Sequence, residues 1–234
     1  MSMNKPAFSE ILEKYKKAFP IWWEHPNHRE QYKWIAVKWF QDNWNIDAPD
    51  FYEMLKLALG KTVNLIESKG VQGREMIEFF ARREPEEVRA MFAALYDESL
   101  PVFDRMAGFK DRAQALLEKF GEGKKVHGQT ENVMSVYLWL RYPDKYYIYR
   151  YELMKKFAKT VFPDYPFVSG HYRENLENCA KLFQHINNKY IKTDPELAGM
   201  LKERLTDDCY PDPERVTPTF DIAYFVYRDC KLNV

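Results

Sequence analysis

The sequence predicts a mainly α protein: a multi-helix globular domain, with at most one short β-hairpin or extended segment near residues 145–150. Three observations predict it. Apolar residues recur at helical spacing along almost the whole chain. Glycine is scarce, with 9 in 234 residues, which disfavours a turn-rich all-β chain. The one concentrated run of strand-favouring types lies at 146–151. With 46% hydrophobic and 30% charged residues, the chain can bury a substantial core.

The elements follow in order. Phe8, Ile11, Leu12, Tyr15 and Phe19 form a short stripe, expected to stop at Pro20. Tyr32, Ile35, Val37, Trp39, Phe40 and Trp44 are dense enough for a helix buried on more than one side. Asp47 and Pro49 read as an N-cap and a first-turn proline. The helix they open runs through Phe51, Met54, Leu55, Ala58, Leu59 and Leu65 to a stop at Gly70. Helices over 74–82 and 85–119 come next, with a start at Pro85 and bends or ends at Gly108 and Gly121.

The segment 121–125 reads as a flexible connection. It sets a soft boundary between an N-terminal helical subdomain, 1–121, and a C-terminal one, 122–234, the two expected to form one compact unit. Beyond it come a helix over 133–140 closed by Pro143, a helix over 152–161 and a loop broken by Pro163 and Pro166. Helices over 172–192 and 195–205, a proline-rich stretch over 208–218 and an amphipathic piece over 220–227 complete the chain.

Charge and cysteine content narrow the function. Lysine and arginine total 35, aspartate and glutamate 35. The basic footprint of phosphate-backbone binding is therefore missing from the totals, and nucleic-acid contact would need a local patch. Cys179, Cys209 and Cys230 are too few and too widely spaced for a disulfide scaffold or a zinc site. The N-terminus lacks the apolar core of a signal peptide, and no stretch approaches ~18 uncharged apolar residues. A cytoplasmic protein without a membrane partner is the expectation.

Apparent catalytic motifs dissolve on inspection. Gly60-Lys61-Thr62 imitates the end of a phosphate-binding loop, but Leu55 stands where that loop needs glycine. Asp50 with Glu67-Ser68-Lys69 has nuclease-like spacing, yet a nuclease core sets its acids on adjacent strands and these lie at two ends of an expected helix. His25-Pro26-Asn27-His28 lacks a third ligand and reads as a polar turn. His127, His171 and His185 stand alone. No cofactor and no catalytic set is expected.

Aromatic residues make up 16% of the chain, and they cluster. Trp22, Trp23, Trp34, Trp39 and Trp44 crowd one stretch and read as core. Tyr137, Trp139, Tyr142, Tyr146, Tyr147, Tyr149 and Tyr151 crowd another, interleaved with Arg141, Lys145 and Arg150. Consecutive Tyr146 and Tyr147 on an extended segment face opposite sides, so one is expected to meet solvent or a ligand. The candidate nucleic-acid-binding set is Trp139, Arg141, Lys145, Tyr146, Tyr147, Tyr149 and Arg150, aromatics stacking on bases and cations contacting phosphate.

Three strings resemble one family. They are Tyr32-Lys33-Trp34-Ile35-Ala36-Val37-Lys38-Trp39-Phe40-Gln41-Asp42-Asn43-Trp44, Ser135-Val136-Tyr137-Leu138-Trp139-Leu140-Arg141-Tyr142-Pro143-Asp144-Lys145-Tyr146-Tyr147, and Arg204-Leu205-Thr206-Asp207-Asp208-Cys209-Tyr210-Pro211-Asp212-Pro213. Together they look like the leader region of McrB-like AAA+ proteins, the nucleotide-driven motors of modification-dependent restriction and related defence systems. The resemblance implies a non-catalytic target-recognition domain that senses DNA, modified DNA included. It also implies a C-terminal AAA+ motor and a nuclease subunit as partners, in a full-length NTPase whose engine follows Val234. A protein-interaction or oligomerisation scaffold without nucleic-acid binding is the alternative, and an enzyme a third reading.

Overall fold

The computed structural model describes residues 4–24, 30–68, 71–121 and 123–228. The chain is mainly α, as its periodicity predicts. Among the described residues the one strand pairing is a two-residue antiparallel ladder, β1 (Glu67–Ser68) against β2 (Val71–Gln72). The stretch 146–150 joins no ladder and reaches Arg150 in an extended conformation, φ −137° and ψ 112°. No helix among the described residues is long and apolar enough to cross a membrane.

The chain divides into two compact units. One joins Met1–Trp34 to Pro143–Val234, and the other is Ile35–Tyr142. The division falls inside α2 (Tyr32–Asn43) and again after Tyr142. The soft boundary expected at 121–125 lies within Ile35–Tyr142, not between the units.

In Ile35–Tyr142, α2 is followed by α3 (Phe51–Ala58), α4 (Val63–Ile66), α5 (Gly73–Ala81), α6 (Pro85–Tyr96), α7 (Val102–Phe120) and α8 (Glu131–Arg141). Phe92 of α6 sits at the centre, its ring 5.1 Å from Trp44, 5.3 Å from Phe109 and 5.1 Å from Tyr137. Residues 133–140 of α8 are all buried, and a helix apolar all round has no solvent face to lose. Several expectations change here, and the helix expected over 85–119 is the two helices α6 and α7. The single helix from Pro49 through Leu65 is two, because the chain tightens into a 3-10 turn at Leu59–Lys61 where Thr62 Oγ1 donates to Leu59 O (2.7 Å). Its cap is Asp50, not Asp47: Asp50 Oδ1 accepts from Glu53 N at 3.0 Å. Gly108 is no bend but an interior residue of α7, held straight by the buried Arg105, Met106, Phe109 and Ala113 around it. The expected stop at Gly70 lies outside the described residues.

The other unit holds α1 (Lys5–Glu24), α9 (Tyr151–Val161), α10 (Tyr172–Ile186), α11 (Pro195–Arg204) and α12 (Val216–Arg228). A π turn, Asn187–Ile191, closes the helix expected over 172–192. Helix α12 packs on α1, α9 and α10 and is buried along most of its length. It begins at Val216, earlier than the expected 220, because Pro218 falls in its first turn, where a missing N–H costs little. Helix α1 does not stop at Pro20. An interior proline costs about 3 kcal/mol, and the turn beyond it offsets this by setting Trp22 5.1 Å from Phe225 and Trp23 5.1 Å from Trp34.

Candidate functional site

The site begins where α8 ends. Pro143 is buried, and Asp144 and Lys145 turn outward. The chain then feeds Ile148 and Tyr149 inward, 1% and 4% exposed. Tyr147 lies half-buried, its ring 5.4 Å from Phe183 of α10. Burial, with Cys179 and Asp212 nearby, raises its phenol well above the usual tyrosine range. Tyr146 is half-exposed, with the Lys145 ammonium 5.6 Å from its ring centre. Arg150 occupies the N-cap position of α9.

Against this stretch packs the loop between α11 and α12. Tyr210 Oη donates to Asp144 Oδ2 at 2.8 Å, and Tyr210 N donates to Trp34 O at 3.0 Å. Asp212 is buried and left-handed, φ 47°, a conformation that aspartate tolerates better than most residues. It accepts from Trp34 Nε1 at 3.1 Å, Val216 N at 2.9 Å and Thr217 N at 3.2 Å, and so caps α12. Burial pushes its carboxyl up to about 6 despite those three donors. Arg215, also left-handed at φ 52°, donates to Ile191 O and Lys192 O at 3.1 and 2.7 Å. A cleft of about 630 Å³ opens beside the loop, lined among others by Leu201, Leu205, Cys209, Asp212 and Arg215.

Lys33, the neighbour of Trp34 in sequence, centres a buried ion network. The Lys33 ammonium, 0% exposed, bonds both Glu30 and Asp221. Tyr15 Oη donates to the second oxygen of Asp221 at 2.7 Å, and Arg228 Nη1 stands 3.8 Å from Glu30 Oε1. Burial alone would neutralise Lys33, but Asp221, Tyr32 and Glu30 more than offset that and hold it above the usual lysine range. Burial raises the Glu30 carboxyl, with Lys33 opposing.

The seven candidate binding residues therefore separate. Trp139 is 1% exposed in α8 and Tyr149 4% exposed, so both are core residues and neither can stack on a base. Arg141 is half-buried, its guanidinium 5.0 Å from the Tyr142 ring centre. Trp139 and Arg141 belong to Ile35–Tyr142, and the other five to the other unit. Lys145, Tyr146, Tyr147 and Arg150 retain a share of surface.

Family models, curated proteins and solved structures all return no match to this chain.

The false motifs have plain structural roles. Thr62 is buried, and Lys61 lies 5.3 Å from the Trp39 ring centre. Asp50 is a helix cap. His127 accepts from Gln129 N at Nδ1 (3.0 Å), and burial lowers its basicity. Cys179 and Cys209 are buried free thiols. Among the described residues no group of three or more His, Cys, Asp or Glu is placed to hold a metal. The pair His25 and His28, Lys69 and Cys230 lie outside the described residues.

Trp34, Tyr210 and Asp212 were absent from the candidate set although they join its segments. Each stands inside one of the three distinctive strings, and that was the available signal. Nothing in their spacing reveals that residues so far apart in sequence bond to one another.

Proposed function

We propose that this chain is the target-recognition module of an McrB-like AAA+ system, that DNA is its target, and that it works by binding rather than by chemistry. The observation that carries this reading is convergence. The three strings that resemble the McrB-like leader meet through Trp34–Asp212, Trp34–Tyr210 and Tyr210–Asp144. Trp34 of the first string, Asp144 of the second and Tyr210 and Asp212 of the third thus come together within one unit. Next to Asp144 stand Lys145 and Tyr146, a cation–aromatic pair suited to a base face and a phosphate, with Arg150 further along the same segment at the start of α9. An attached motor and a nuclease subunit are the partners this reading implies, in the cytoplasm.

Fluorescence anisotropy with single- and double-stranded DNA, with and without modified cytosine, tests the reading across a salt series. Saturable binding that weakens with salt, and that falls severalfold in Tyr146→Ala and Arg150→Ala, is the expected result. Failure of a folded sample to bind any form at low salt overturns it. The scaffold reading would then take its place, favoured by the near balance of acidic and basic residues over the whole chain.

A further inference from the structure

The C-terminal end of α10 and its π turn carry a second feature that the aromatic strings do not include. Lys181, Gln184, His185, Asn188 and Lys189 line one open surface hollow of about 540 Å³. All five side chains carry nitrogen atoms able to donate hydrogen bonds, and no acidic residue is among the residues that line it. Glu177, one turn back on α10, stands 3.8 Å from Lys181. Among the described residues the side chains of Gln184, Asn188 and Lys189 have no hydrogen-bond or ion-pair partner within the protein. His185 is set by its neighbours, 5.8 Å from the Phe162 ring and 6.4 Å from the Tyr190 ring.

The π turn explains why two lysines eight residues apart share one hollow. In an unbroken α-helix such a step overshoots two full turns by about 80°. A π turn takes more residues per revolution, so it reduces the overshoot and brings Lys189 back toward the line of Lys181 and His185. The turn is held by Asn187, 1% exposed, whose Nδ2 donates to Glu214 O, Arg215 O and Thr219 Oγ1 at 3.0, 2.7 and 3.1 Å. Helix geometry separates Lys181 and Lys189 by roughly 12 Å along the axis, with His185 midway. That reach exceeds the separation of neighbouring phosphates on one strand.

We propose that the Lys181–His185–Lys189 hollow is a phosphate-contact surface through which the module grips the nucleic-acid backbone. The proposal rests on the DNA-recognition reading and assigns a backbone surface apart from the Lys145–Tyr146–Arg150 group. Its chemistry is that of positioning: lysines, amides and an imidazole can hold phosphate oxygens without reading sequence.

The test uses the full chain and a fluorescein-labelled duplex in a salt series. Lys181→Gln/Lys189→Gln removes both charges, and circular dichroism checks that the helices persist. The expected result is weaker binding and a slope of log K against log salt shallower by about 2 units, one for each lost phosphate contact. The single variant Glu177→Gln, which frees Lys181 of its carboxylate, should tighten binding. Binding by the native chain with an unchanged slope in the double variant overturns the hollow and leaves the DNA reading standing. Absence of any binding by the native chain overturns both.

Discussion

Lys33 shows how much one side chain can hold in place. Its partners are Glu30, three residues away, and Asp221, 188 residues away. Replacing it with methionine strands two carboxylates in the interior, so Lys33→Met should destabilise its unit by about 3–5 kcal/mol in urea unfolding. A loss below 1 kcal/mol would mean the network is hydrated and far weaker than its burial implies. Asp212 gives a pH signature. Its folded carboxyl titrates near 6 against an ordinary 3.8, so the folded state binds the extra proton between those values. Its contribution is full below about pH 4 and is lost as pH rises through 6, a change on the order of 3 kcal/mol. Unfolding free energies of the native chain and Asp212→Asn, measured from pH 4 to 7, should converge toward different slopes, the variant lacking the decline. Parallel curves would place Asp212 in contact with water. Neither residue was legible in the sequence. Asp221 lies 188 residues from Lys33, and only the fold brings the two together.

At the scale of the element, periodicity was legible and its interruptions were not. Helix α8 was plain from its unbroken apolar run, yet that same run made Trp139 look like a stacking platform because Arg141 follows it. A helix buried all round offers no polar face by which to tell inward from outward. Pro20 and Gly108 were read from local rules that packing overrode, and the π turn has no local code at all, since Asn187 is drawn out of phase by acceptors 27 to 32 residues away. Asn187→Ala should leave those acceptors without their donor and cost about 2–3 kcal/mol, with α10 ending in a regular turn by amide chemical shifts. A variant as stable as the native chain would show that the turn is intrinsic to its sequence. Gly73 makes a matching case in the other unit. A Cβ there would lie 2.8 Å from Ile66 O and from a Val133 methyl, so Gly73→Ala should cost about 1–3 kcal/mol by forcing α5 away from α8. A melting temperature unchanged by that substitution would refute the close approach.

The whole molecule is discontinuous: Ile35–Tyr142 is inserted between the two stretches that build the other unit. Composition and periodicity cannot reveal this, because both units have the same helical texture, and the glycine-rich 121–125 offered the only visible seam. The insert carries its own core around Phe92, so residues 35–142 expressed alone should give a helical circular dichroism spectrum and a protease-resistant fragment. Residues 143–228 alone lack Tyr15, Lys33 and Trp34 and should remain unstructured; a cooperative melt from that piece would contradict the division. The ion network acquires a further meaning during synthesis. At ordinary ribosomal speed the chain between Lys33 and Asp221 takes roughly 10–40 s to emerge. For that interval the insert can fold as it leaves the ribosome, while the first helix waits with its aromatic face uncovered. The nascent protein thus exposes that helix to chaperones and proteases, and any premature stop before residue 221 leaves it permanently unclosed.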